Sequence, residues 1–222
     1  MCAWGVGATL SRTAALQPDL AAGLADRRLC PAQLSAAIVA LLISLPMWLF
    51  LPLLAWLKGT PIQLQPDWPV LLLGVILVNG ITEEVIHRGF VFGHLQREHS
   101  FIRAATLSAL LFAAQHLYLI FSIGWTAGLA SVLLAALLTF PLAYSYRRGG
   151  NSLGGPAILH TSSNAPMIIL ALSPGFAASV LVLYMGVVLI SIYLVFIVYQ
   201  IPVIRIVSVS KRTAYNGKQS NN

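Results

Sequence analysis

Long apolar runs separated by short polar gaps organise this chain, and the runs are too long for strands. A hydrocarbon core about 30 Å thick takes roughly 20 apolar residues to cross as helix. Residues 34–57, 69–93, 101–120, 125–146, 152–172 and 176–204 meet that length. The pattern predicts an all-α, polytopic transmembrane bundle of about six spans. Pro46 and Pro52 are expected to kink the first span. Residues 1–30 set Arg12, Arg27 and Arg28 against Asp19 and Asp26 and lack the layout of a signal peptide, so a cytoplasmic extension is expected there.

Composition agrees with that pattern. The chain is 58% hydrophobic and 9% charged, with mean hydropathy +0.84, whereas soluble domains carry about 25% charged residues. The net charge of +7 does not point to nucleic acid, because no Lys/Arg patch is interleaved with aromatics. The basic residues fall between spans instead. Arg27 and Arg28 precede the first span, Arg97 and Arg103 flank the second connection, and Arg147 and Arg148 follow span four. Arg205, Lys211, Arg212 and Lys218 follow the last, while the opposite loops hold only Lys58 with Asp67. By the positive-inside rule both termini are expected in the cytoplasm of a multi-pass protein of the plasma (inner) membrane. Trp48, Trp56, Trp68 and Trp125 are candidate interface anchors, and Cys2 with Cys30 implies no disulfide framework.

The residues a bilayer should reject carry the functional signal. Span two holds Glu83, Glu84, His87 and Arg88, span three His116, span five His160 and Asn164. Intramembrane ionisable groups mark functional sites by default. Thirteen residues separate Glu84 from Arg97 and Arg103 from His116, and twelve separate Arg148 from His160. At about 1.5 Å per residue the three levels match, roughly 20 Å from the arginines, so one buried cluster is expected. Glu84 and Arg88 stand four apart and are expected to pair; Glu83 is turned by about 100° toward another neighbour. Phe112 lies four before His116, and Asn164 four after His160. A carboxylate with an imidazole can deprotonate a water, and a second imidazole with an Asn amide can stabilise an oxyanion. The same residue types, Glu83, His116 and His160, could instead ligate zinc. The structural alternative is a carboxylate pair satisfied by Arg88 and His87 that ties helices together. His94 and His99 read as surface residues, and Gly124, Gly128, Ser131 and Ala135 as a close-packing stripe. Thr161, Ser162 and Ser163 lack the partners of a serine nucleophile.

Glu83-Glu84-x-x-x-Arg88, Phe112-x-x-x-His116 and His160-x-x-x-Asn164, in that order, resemble the three motifs of the CAAX-protease and bacteriocin-processing (CPBP) intramembrane endopeptidases. The run Arg148-Gly149-Gly150-Asn151-Ser152-Leu153 with Pro156 is similar to that family's approach to its third motif. The resemblance implies a catalytic core of four helices, with Glu83 as general base and His116 positioning the water. It implies support from Glu84, Arg88 and Phe112, and oxyanion stabilisation by His160 and Asn164. Zinc stays an open cofactor. His87 departs from the pattern, where an aromatic residue is usual, and is a candidate additional site residue. The implied partner is a membrane-embedded peptide or protein, lipidated or not, within the bilayer. The organisation expected is an N-terminal extension (1–30), a first span and loop (31–66), the protease core (67–172), a last span (173–206) and a cytoplasmic tail (207–222). The rival readings are a non-catalytic immunity or scaffold protein of the same fold and a proton-coupled transporter, the latter weakened by the absence of an internal repeat.

Overall fold

The computed structural model describes residues 31–171 and 177–201; the expectations for residues 1–30 and 207–222 fall outside them. Six helices make up the described part: α1 (Pro31–Lys58), α2 (Trp68–Glu98), α3 (Phe101–Gln115), α4 (Trp125–Arg148), α5 (Gly154–Ile169) and α6 (Ala177–Val198). After α3 the chain turns and adds one helical turn, Leu119–Ser122, so that Phe101–Ser122 forms a 22-residue span. Five helices are long and apolar enough to cross a membrane, namely α1, α2, α3 with its extra turn, α4 and α6. The chain is thus an integral multi-pass membrane protein. Rows of leucines face outward along the bundle, such as Leu41, Leu45, Leu49 and Leu53 of α1, as lipid requires.

The segment 152–172, expected as a sixth full-length span, forms a shorter helix of 16 residues, Gly154–Ile169, about 24 Å at 1.5 Å per residue. It nevertheless runs from end to end of the bundle. Near its start, Gln96 at the end of α2 donates to Asn151. At its finish, Leu170–Ala171 (β2) pairs antiparallel with Gln63–Leu64 (β1) from the loop after α1. The Gln65 N–H donates to the Ile169 carbonyl beside that pair. This two-residue pairing, unexpected in an all-α pattern, replaces what would have been the last helical turn. The sharp entry to α5 uses Gly150 (φ 73°) and Asn151 (φ 60°), both left-handed, a conformation glycine and asparagine adopt at least cost.

Prolines inside helices leave orphaned carbonyls, and α6 answers two of them. Pro166 in α5 removes the donor for Ser162, whose carbonyl accepts from the Tyr184 hydroxyl at 3.1 Å. Pro141 in α4 does the same to Leu137, whose carbonyl accepts from Tyr193 at 3.1 Å. The last helix therefore supplies more than apolar packing, although Val188, Ile192 and Val195 of α6 are fully buried with Met47, Leu51, Leu142 and Leu159. Trp48, a candidate interface anchor, instead points inward and donates to Ser162 at 3.1 Å. Trp56, Trp68 and Trp125 are exposed.

Two close approaches set the frame of the site. A Cβ on Gly80 of α2 would collide with the Thr161 hydroxyl of α5, and one on Gly128 of α4 would overlap the backbone of Leu119 and Ile120. The stripe of small residues is thus a packing seam at Gly128. At Gly80 the absent side chain lets α2 and α5 meet one turn from Glu84.

Candidate active site

Helix α2 is not a regular α-helix where it carries the acidic residues. Ile76–Thr82 and Val85–Phe92 are π-helical, on either side of Glu83 and Glu84. The Glu83 N–H donates to the Val78 carbonyl and the Gly93 N–H to Arg88, both five residues back. Such wide turns are rare and concentrate at functional sites. They turn successive residues by less than the about 100° of an α-helix. Glu83 and Glu84 consequently both reach the same imidazole on α5. Nδ1 of His160 donates to Glu84 Oε1 at 2.7 Å, and its Nε2 lies 3.7 Å from Glu83 Oε2.

Glu84 is the enclosed member of the pair. Its side chain and that of Arg88 are both 0% exposed, and Arg88 Nη1 donates to Oε1 at 3.0 Å. Arg88 also reaches Thr139 of α4 at 3.5 Å and lies over the Phe112 ring, 4.7 Å from its centroid. A charge at this depth needs such company. The structural alternative named above is met only in part: Arg88 pairs with Glu84 Oε1 while Glu84 Oε2 has no hydrogen-bond partner among the described residues, and His87 touches neither carboxylate through a hydrogen bond or ion pair and instead donates from Nε2 to Gln115 Oε1 at 2.8 Å.

Glu83 is the open member. Its side chain is 12% exposed. Oε1 accepts from Gln115 Nε2 at 3.4 Å, while Oε2 is buried and has no hydrogen-bond partner among the described residues. The 3.7 Å to His160 Nε2 is too long for a direct hydrogen bond. One lone-pair face of this carboxylate therefore remains available beside an imidazole.

Phe112 joins the three helices. Its ring meets His87 edge-on at 4.6 Å, His116 at 4.5 Å and His160 at 5.7 Å between centroids. The depth matching read from the sequence thus corresponds to a shared aromatic hub. His116 itself ends α3 and donates from Nδ1 to the Phe112 carbonyl at 2.8 Å. That bond leaves Nε2 as the nitrogen with a lone pair. Among the described residues no hydrogen bond or ion pair links His116 to a carboxylate. Asn164, on the face of α5 that His160 occupies, is turned inward on its own helix, donating to the His160 carbonyl at 3.2 Å and to Ser163 Oγ at 3.4 Å.

Among the described residues no three His, Cys, Asp or Glu side chains are grouped to hold a metal ion. Glu83 and His160 are neighbours, but His116 is not grouped with them, so the described donors do not make a three-ligand zinc site. No step is routed through one below. Ser163 donates to the His160 carbonyl at 2.8 Å and Ser162 accepts from Trp48, which leaves neither arranged as a nucleophile.

Gln115 and Thr139 were missed by sequence reasoning. Gln115 had a signal: it is the only amide in 101–120, next to His116, where lipid disfavours polar groups. Thr139 had none, since a threonine in a span commonly bonds its own helix, as this one also does to Ala135.

Residues 65–166 match the family described as Type II CAAX prenyl endopeptidase Rce1-like. No curated protein and no solved structure matches the chain.

Proposed function

We propose, from the match of residues 65–166 to the Type II CAAX prenyl endopeptidase Rce1-like family, that this chain is an intramembrane endopeptidase. It hydrolyses a peptide bond of a membrane-associated or lipidated protein with a water activated by Glu83. The observation that carries the reading is the Glu83 carboxylate itself: partly open, with a buried Oε2 that has no hydrogen-bond partner among the described residues and lies 3.7 Å from His160 Nε2.

In this reading Glu83 Oε2 takes a proton from the water while its oxygen bonds to the scissile carbonyl carbon. His116 Nε2, its lone pair fixed by the Nδ1 bond to Phe112, accepts the water's second hydrogen and orients it. His160, pinned through Nδ1–H to Glu84, donates its Nε2–H to the carbonyl oxygen as that oxygen gains charge, a role that requires the imidazolium form, with a proton on each ring nitrogen. Asn164 joins that contact on rotating away from the His160 carbonyl. The C–N bond then breaks as Glu83 returns its proton to the leaving amine. Glu84 and Arg88 act as the fixed frame.

The arginine-bearing connections 2–3 and 4–5 meet at Gln96 and Asn151, opposite the end closed by the Gln63–Leu64 and Leu170–Ala171 pair. Counting α5 as a crossing gives six, which supports the reading that both termini lie on the arginine side, at the cytoplasmic face of the plasma membrane. The test compares membrane-protein termini in cells carrying the wild type or Glu83→Gln. New termini that depend on Glu83 are expected, and they would also reveal the substrate. An unchanged set of termini in cells with the Glu83→Gln protein would sink the reading.

A further inference from the structure

His87 and Gln115 have no part in that chemistry, yet they are joined to it. Glu83 and His87 stand four apart on α2, and Gln115, the last residue of α3, bonds to both. We propose that His87 and Gln115 form a positioning relay that sets the orientation of the Glu83 carboxylate. The inference rests on Glu83 as the base.

A glutamine amide offers a donor end and an acceptor end, and either can face a neighbour. Against a carboxylate only the NH2 end is attractive; the carbonyl end would set two oxygens against each other. His87 decides between them. Its Nε2–H takes the amide oxygen at 2.8 Å, which turns the NH2 toward Glu83 Oε1 at 3.4 Å. The second contact is long, so the relay contributes orientation more than binding strength. With Oε1 engaged from the α3 side, Oε2 is the oxygen left beside His160.

His87 is held firmly enough for this task. It is 4% exposed, its ring abuts Phe112 edge-on, and its carbonyl accepts from Ser108 Oγ at 3.3 Å. Its Nδ1 is buried with no partner among the described residues. A phenyl ring would fill the same aromatic contact without that burial penalty. Keeping an imidazole there has a physical rationale in the bond from Nε2 to Gln115.

The experiment has two arms on the full-length protein in detergent. In the first, imidazole 15N NMR is expected to show His87 protonated at Nε2, with that resonance moving in Gln115→Met and in Glu83→Gln. A His87 protonated only at Nδ1, or indifferent to Gln115→Met, overturns the relay whether or not any peptide is cleaved. The second arm follows a fluorogenic farnesylated peptide. Gln115→Met and His87→Phe are each expected to lower kcat about five- to tenfold with KM within about twofold, the loss of one ordinary hydrogen bond. The double variant is expected to be no worse than Gln115→Met, and His87→Gln, which can still offer an N–H, to recover most of the rate. Additive losses overturn the relay, since independent residues add and coupled ones do not. Wild-type kcat in both single variants beside an inactive Glu83→Gln overturns the relay alone. An active Glu83→Gln overturns the base assignment itself.

Discussion

Glu83 and Glu84 are neighbours in sequence and opposites in surroundings. On the inner side, Glu84 Oε1 accepts from both Arg88 Nη1 and His160 Nδ1, and the two α2 side chains are 0% exposed, with Glu84 Oε2 and Arg88 Nε lacking hydrogen-bond partners among the described residues. On the outer side, Glu83 faces Gln115 at long range and keeps a buried oxygen unpaired. Each carboxylate keeps one buried oxygen without a hydrogen-bond partner among the described residues, so what separates them is enclosure and the arginine: Glu84 is sealed in and held by Arg88, whereas Glu83 is 12% exposed and lies 3.7 Å from His160. The comparison therefore divides a pair of like residues into one enclosed beside an arginine and one that opens outward, the one proposed as the base.

The largest expected effect breaks the outer side only. Glu83→Gln should lower cleavage by about a hundred- to ten-thousand-fold, while unfolding in detergent stays within about 0.5 kcal/mol of wild type. A variant that unfolds instead would place Glu83 in the frame with Glu84. Next comes the inner side. Arg88→Met leaves Glu84 charged and enclosed with one partner fewer, and should cost about 3–5 kcal/mol of stability, read from thermal unfolding. Adding Glu84→Gln should recover part of that loss; no recovery would mean the ion pair is incidental.

A smaller effect tests what brings the two sides to one imidazole. Gly80→Ala should cost about 1–3 kcal/mol, because the new methyl meets the Thr161 hydroxyl. Thr161→Ala in that background should relieve it. Failure of the rescue would move the α2–α5 contact elsewhere. The smallest effect lies farthest from the carboxylates. Tyr184→Phe strips the Ser162 carbonyl of its donor and should cost about 1 kcal/mol, with cleavage nearly unchanged. A large loss of activity there would make α6 part of the site's alignment.

Much of the site was readable because lipid penalises polarity. Glu84 and Arg88 pair at the spacing that predicts it, and the depth count put His160 within reach of α2. The count gave levels but no facing directions. His116 shares the level yet turns to Phe112, and Gln115, one residue earlier, is the side chain that meets Glu83. The expectation that Glu83 faces another neighbour than Glu84 holds for Gln115 and fails for His160, because π-helical turns draw both carboxylates toward α5. No side-chain pattern in Ile76–Phe92 announces that widening.

By itself the sequence determined that the chain is a bundle of apolar helices, that α2, α3 and α5 carry groups no bilayer tolerates without purpose, and that these share a depth. Hydrophobic length and the cost of buried charge act locally, so a linear pattern records them. Only the tertiary structure decided which carboxylate is enclosed, which helix stops at 16 residues, and which tyrosines serve the carbonyls freed by Pro141 and Pro166. Those outcomes depend on close approach between helices distant in sequence and on the rotation of each about its own axis. Neither leaves a mark in residue order.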